Sequence, residues 1–130
     1  MGSRIYVAGA DTLIGRAIRG RVPFSDGLRE KGTRPLLIND PEPDLTDRAA
    51  VDHFFDRTRP DVVFVAAGKT AGIAGNQQSP ADLMLHNLLA GTHVISSAWA
   101  VGVKKLLYLA SSCVYPKAAP QPFSTSSLQR

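Results

Sequence analysis

Short, continuous apolar runs alternate along this chain with segments whose apolar residues recur at helical spacing. The first run, Ile-Tyr-Val-Ala at 5–8, predicts a buried strand. Behind it come Gly9 and, six residues later, Gly15, which opens a helical pattern of Ala17, Ile18 and Val22. Pro23 stops that helix, and residues 23–34, with Gly27 and Gly32, read as a turn-rich connection. Residues 35–39 predict a second strand. Ala50, Val51, Phe54 and Phe55 then mark an inward helix face, with Thr46 as its N-cap, Asp47 in its first turn and His53 expected at the surface or boundary. Val-Val-Phe-Val-Ala-Ala at 62–67 is the clearest buried strand. Ser79-Pro80-Ala81-Asp82 has a capping serine, a first-turn proline and a first-turn acid, and opens a helix running to Val101 and closed by Gly102. Leu85, Leu88, Leu89, Val94, Ile95, Ala98 and Trp99 cover more than one stripe of it, so one face suits its own sheet and another a neighbour. His86 and His93 are expected to point outward, while Asn87, polar among these residues, needs a partner. Residues 104–110 predict a fourth strand, and the polar tail at 124–127 is expected to be mobile. Strand and helix alternating in this way predict an α/β fold with a doubly wound parallel sheet of about four strands.

Composition narrows the classes. At 130 residues the chain is one domain with room for a core. Its net charge of +4 is spread along the sequence apart from Lys104-Lys105, which argues against nucleic-acid binding. No apolar run is long enough to span a bilayer, so no membrane role is expected. A single cysteine excludes a disulfide framework and favours a reducing, cytoplasmic setting. No metal site is expected.

The candidate chemistry sits where strands end. A strand, a glycine turn and a helix make the first half of a βαβ nucleotide site, or an ordinary strand-to-helix turn. In the first reading Gly9 lets a pyrophosphate approach the backbone. Thr12, Leu13 and Ile14 fill the turn, and Gly15 packs the helix close on the strand. Thr12 stands where many such turns have a third glycine. Asn39 and Asp40 end the second strand, where an acid suits a ribose 2′-hydroxyl and an arginine a 2′-phosphate; Asp40 is equally fit for a solvated turn. Gly68-Lys-Thr-Ala-Gly72, after the third strand, is expected to be a flexible loop at the ligand-binding edge of the sheet, its small residues leaving room for a cofactor or merely permitting close packing. It lacks the spacing of a Walker phosphate loop. Two hydroxyls and a thiol, Ser111-Ser112-Cys113, follow the fourth strand on the same rim; on chemistry alone Cys113 would suit a small buried hydrophobe.

These stretches together resemble the extended short-chain dehydrogenase/reductases, and among them the GDP-L-fucose synthases. Ser111-Ser-Cys-Val-Tyr-Pro-Lys117 is similar to that family's signature, and Ala66-Ala-Gly-Lys-Thr-Ala-Gly-Ile73 to its cofactor loop. The resemblance implies a Rossmann-type NAD(P)-binding domain over residues 1–130, incomplete and without its substrate domain. The activity implied is conversion of GDP-4-keto-6-deoxy-D-mannose to GDP-L-fucose with NADPH, in the cytoplasm. Ser111 would bind the C4 carbonyl of the sugar and Cys113 would move protons beside it. The cofactor would be held by Gly9, Thr12, Leu13, Ile14, Gly15, Asp40, Asp44, Leu45, Ala66, Ala67, Gly68, Lys69, Asn87, Leu109, Ala110, Ser111 and Ser112. A homodimer through helix 80–101 is implied as well. Two departures stand out. No Tyr-x-x-x-Lys occurs, since four residues after Tyr6, Tyr108 and Tyr115 come Ala10, Ser112 and Ala119; the family places that pair beyond Arg130. No arginine follows the second strand, with Arg16 the nearest substitute, so NAD is possible beside NADP. The competing expectations are another nucleotide-sugar epimerase or dehydratase, and a catalytically silent nucleotide-binding or dimerising module.

Overall fold

The computed structural model describes residues 2–22 and 34–129, so the expected connection at 23–33 lies outside the described residues. The apolar runs form four parallel strands, β1 (Arg4–Ala8), β2 (Leu36–Leu37), β3 (Val62–Val65) and β4 (Lys105–Tyr108), in the order β2-β1-β3-β4. Ile5 pairs with Leu37 on one side and Val62 on the other, and Val63 pairs with Leu106. All four strands therefore end at the same edge, where an open parallel sheet places its ligands. The helices are α1 (Leu13–Arg21), α2 (Arg48–Thr58), α3 (Gly72–Gln78) and α4 (Pro80–Ala100).

Two apolar clusters show why the sheet is doubly wound. On one face Ile5, Val22 and Val62 pack with Ile18 of α1, Leu37 and Phe64. On the other, Tyr6, Ala8, Val63 and Val65 meet Val51, Phe54 and Phe55 of α2 and Ala90, Val94 and Ala98 of α4. Tyr6 is wedged between the two phenylalanines, with ring centroids 4.7 Å from Phe54 and 5.6 Å from Phe55. Ser97 of α4 donates to Asp52 of α2 at 2.6 Å, tying the two helices. Beneath the sheet Asp61 accepts from the Arg4 amide at 2.8 Å and pairs with Lys104 at 3.0 Å, joining three strand ends. The amide bond, then the lysine, hold its carboxyl below the usual range against the opposing effect of burial.

Several local expectations are corrected. The cap of α2 is Asp47, which accepts from Ala49 and Ala50, while the hydroxyl and amide of Thr46 donate to Asp44. Ser79 makes no side-chain capping bond, so proline and Asp82 alone carry the start of α4. β3 ends at Val65 rather than at 67, and an unexpected short helix, α3, follows the glycine loop. α1 opens at Leu13, two residues before Gly15. His53 is exposed as expected, whereas His86 and His93 are half-buried. His93 Nδ1 lies 3.0 Å from the carbonyl oxygen of Leu45. The second apolar face expected of α4 exists: Met84, Leu85, Leu88, Ile95 and Trp99 are exposed, Trp99 to 87 %. No helix among the described residues is long and apolar enough to cross a membrane.

Candidate functional site at the carboxyl edge of the sheet

The turn after β1 is built by backbone approach. Gly9 has φ 77°, and a β-carbon there would sit 2.5 Å from the Cα and amide nitrogen of Ala67. A β-carbon on Gly15 would overlap the Gly9 carbonyl oxygen. These glycines let the first turn of α1 and the end of β3 close together around the strand edge. The Thr12 hydroxyl donates to Gly9 O at 2.8 Å and accepts from the Gly15 amide at 3.0 Å. It is thereby consumed as the cap of α1, folded back into the turn. Leu13 and Ile14 head the helix, exposed, and their amides belong to the first turn, which has no intrahelical acceptors. A helix start of this kind attracts phosphate.

A cavity of about 270 Å³ opens beside this turn. Seven expected cofactor residues line it: Gly9, Thr12, Asp44, Leu45, Ala67, Gly68 and Lys69. Ala66 lies directly behind, its amide donating to Ala8 O at 2.9 Å. Asn87 finds the partner its setting demands. It accepts from the Lys69 amide at 2.7 Å and donates to the Lys69 carbonyl at 3.0 Å. The loop after β3 is therefore clamped to α4, where a freely flexible loop was expected. Two bonds from Thr46, the hydroxyl first and then the amide, hold the Asp44 carboxyl below its usual range.

Three further residues shape the site. His86 lines the cavity, and its Nδ1 is buried with no hydrogen-bond partner among the described residues. Glu42 Oε1 accepts from the Gly9 amide at 2.7 Å and from the Tyr6 hydroxyl at 2.9 Å. Burial first, and Glu42 second, push the Tyr6 hydroxyl far above its ordinary pKa, so it stays a neutral donor. Arg19, one turn beyond the expected Arg16, donates to Asn39 Oδ1 at 2.6 Å. Arg19, Asn39, Asp40, Asp11 and Glu42 share a second cavity of about 190 Å³ at the end of β2. Asp40 itself is paired with Arg57 at 2.7 Å.

The hydroxyl and thiol stretch lies after β4, away from the lining of both cavities. Leu109 is held by its amide to Val65 O at 3.1 Å, and Ala110 follows it to the edge. Ser112–Val114 form a single 3₁₀ turn in which Ser111 Oγ accepts from the Cys113 amide at 3.2 Å. Cys113 is free and exposed, not the buried hydrophobe that its residue type alone suggests. Tyr115 stacks on Phe123 with ring centroids 4.6 Å apart, steadying the segment beyond.

Residues 5–130 match the NAD dependent epimerase/dehydratase family. The chain belongs to that family. It is 46 % identical over 127 residues to GDP-L-fucose synthase 1 of Arabidopsis thaliana, covering 97 % of this chain and 38 % of the relative. It is 38 % identical over 126 residues to GDP-L-fucose synthase of Escherichia coli K12, covering 96 % and 37 %. The chain thus spans under two-fifths of the length of these relatives. A solved structure of MlghC, a GDP-mannoheptose C4 reductase from Campylobacter jejuni with NADP bound, superposes with a TM-score of 0.77 at 31 % identity, covering 98 % of this chain and 38 % of that one. In this chain the glycine turn, the clamped loop and the Ser111–Cys113 turn follow β1, β3 and β4 at the carboxyl edge of the parallel sheet. The fit to a dinucleotide rests on the open space beside the turn, lined by Gly9, Thr12, Gly68 and Lys69, and on the first-turn amides at the head of α1.

Proposed function

We propose that this chain is the cofactor-binding part of a nucleotide-sugar epimerase-reductase of the GDP-L-fucose synthase kind. It would act on GDP-4-keto-6-deoxy-D-mannose with NADPH, in the cytoplasm. The observation that carries the reading is that the glycine turn, the Asn87-clamped loop and the Ser111–Cys113 turn follow three parallel strands at one sheet edge. Likeness to GDP-L-fucose synthases over nearly the whole chain supports it. The nucleotide-binding unit is taken as residues 1–130, with the sugar-binding part contributed from outside them.

In this reading Gly9 and the head of α1 receive the pyrophosphate, and the loop from Ala66 to Lys69 walls the adenosine side. When bound, the cofactor supplies hydride for C4 of the sugar. Ser111 donates a hydrogen bond to the C4 carbonyl oxygen, which makes the protons on C3 and C5 more acidic by stabilising the developing enolate. The Cys113 sulfur, as thiolate, takes such a proton and becomes the thiol; a proton given to the opposite face by an acid outside these residues inverts the carbon, and loss of the thiol proton restores the thiolate, so no net proton is consumed. Reduction at C4 then needs one proton on the carbonyl oxygen, and no Tyr-x-x-x-Lys pair lies within these residues to deliver it. We therefore expect the 130-residue chain alone to show no turnover.

The test is NADPH oxidation by the protein as encoded, with GDP-4-keto-6-deoxy-D-mannose and with other nucleotide-linked 4-keto sugars. Faster turnover of the GDP-linked deoxy sugar supports the reading. A preference for another nucleotide or sugar moves the protein to a neighbouring activity of the family. The MlghC likeness makes a C4 reductase of a GDP-linked sugar the second reading. A protein that binds dinucleotide but reduces no keto sugar would be the silent module.

A further inference from the structure

Resting on the dinucleotide reading, we propose that Glu42 and Arg19 form an opposed pair that sets whether the adenosine ribose carries a 2′-phosphate. Both line the cavity of about 190 Å³ between α1 and the end of β2. Glu42 is held in place from three sides. Pro41 and Pro43 restrict the backbone on either side of it, and Oε1 is fixed by the Gly9 amide at 2.7 Å and the Tyr6 hydroxyl at 2.9 Å. Tyr6 is buried in the core, so the carboxylate cannot swing away without stranding a buried hydroxyl. The same side chain lines the cavity of about 270 Å³ beside the glycine turn, which places it on the wall between the two spaces.

The charges around the smaller cavity do not favour a phosphate. Asp11, Asp40 and Glu42 line it, against Arg19 as the basic side chain among its lining residues. Asp40 is ion-paired with Arg57 at 2.7 Å, and Glu42 Oε1 accepts from two uncharged donors. Arg19 is turned toward the cavity by its 2.6 Å bond to Asn39 Oδ1. A 2′-phosphate entering here meets the forked guanidinium of Arg19 and the fixed carboxylate of Glu42 together. A 2′-hydroxyl meets an acceptor in Glu42 and needs no cation. The pair thus holds the two cofactors close in affinity, within about tenfold of each other, since one such contact is worth one to two decades and the carboxylate offsets part of it.

Calorimetric titration of the protein as encoded with NADPH and NADH tests this. Glu42→Gln keeps an acceptor oxygen for both donors and removes the charge. It is expected to raise the NADPH to NADH affinity ratio by about fivefold, chiefly through NADPH. Arg19→Met is expected to lower the ratio by about tenfold or more with NADH binding unchanged. A ratio that either soluble variant leaves within twofold of the wild type would overturn the pairing, as would an equal loss for both cofactors, which marks a purely structural role. Should Glu42→Gln fail to fold, Arg19→Met still decides whether this cavity reads the 2′-position. If the wild-type protein binds neither cofactor, the dinucleotide reading itself fails, and this inference with it.

Discussion

Gly9→Ala separates two costs that the structure assigns to one position. The first is conformational: φ is 77°, a left-handed value that costs an L-residue about 1–2 kcal/mol. The second is steric. The new methyl would come 2.5 Å from Ala67 Cα and N and 2.7 Å from Ala66 C, all backbone atoms that cannot rotate aside. Overpacking of this kind adds about 1–3 kcal/mol. The total expected is about 2–5 kcal/mol, a large share of a typical domain stability of about 5–15 kcal/mol. Gly102 supplies the internal control. Its φ is 76°, almost the same, yet a methyl added there would meet nothing within 4 Å. Gly102→Ala should therefore cost only the conformational part, about 1–2 kcal/mol. Urea unfolding of the wild type and both variants gives the difference directly. Cofactor titration should show weakened binding in Gly9→Ala alone, because the clash pushes the turn away from the loop after β3. Equal destabilisation by the two substitutions, or undiminished cofactor affinity in Gly9→Ala, would refute the close approach of turn and loop.

Three other consequences are open to measurement. Asn87→Ala removes both bonds that clamp Lys69, and should raise the cofactor dissociation constant several-fold and cost about 1–3 kcal/mol of stability; Asn87→Asp, keeping the acceptor, should recover part of the loss. The Asp61 carboxyl is held below the ordinary aspartate value of 3.8, so its contribution to stability is complete above that pH and fades as the pH falls through its lower folded value. The stability gap between wild type and Asp61→Asn, followed by urea unfolding, should accordingly narrow below pH 3.8 and not above it. The exposed stripe of α4 around Ile95 and Trp99 is expected to be covered by a second copy of the protein, and Trp99→Glu should shift sedimentation from dimer to monomer. A wild type that sediments as a monomer at micromolar concentration would remove that expectation.

Much of the fold is legible because its signals are redundant. Val62 to Val65 needs no arbitration, since four apolar, mostly β-branched residues in a row suit a strand covered on both faces. The two phenylalanines of α2 announce their inward face by spacing alone, and Asn87 stands out by its polarity among leucines. What escapes has particular physical reasons. Periodicity resolves a helix to a turn, not to a residue, so Thr46 and Asp47, both good caps and adjacent, cannot be ranked; Asp44 decides it by taking the bonds of Thr46. α3 carries Gly72 and Gly75 and little apolar repeat, so nothing local marks it as helical. Arg19 is one helical turn from Arg16, and which of them reaches Asn39 depends on how α1 sits on the sheet. Glu42 leaves the least trace. Its importance comes from Tyr6 and Gly9, 36 and 33 residues away in sequence, and nothing around Pro41-Glu42-Pro43 points to them. Cys113 is the reverse case, visible as part of a family-like stretch and found exposed on the expected rim.

The central claim, a site that moves protons beside a keto group and then reduces it, is tested most directly by turnover in heavy water. The protein as encoded is given GDP-4-keto-6-deoxy-D-mannose and NADPH in D₂O, and the product is read by NMR and mass spectrometry. Deuterium is expected at both C3 and C5, with one NADPH oxidised per product formed, and Cys113→Ser is expected to lose the label while still binding dinucleotide. Reduction at C4 with protium retained at C3 and C5, or deuterium incorporation undiminished in Cys113→Ser, would contradict the claim.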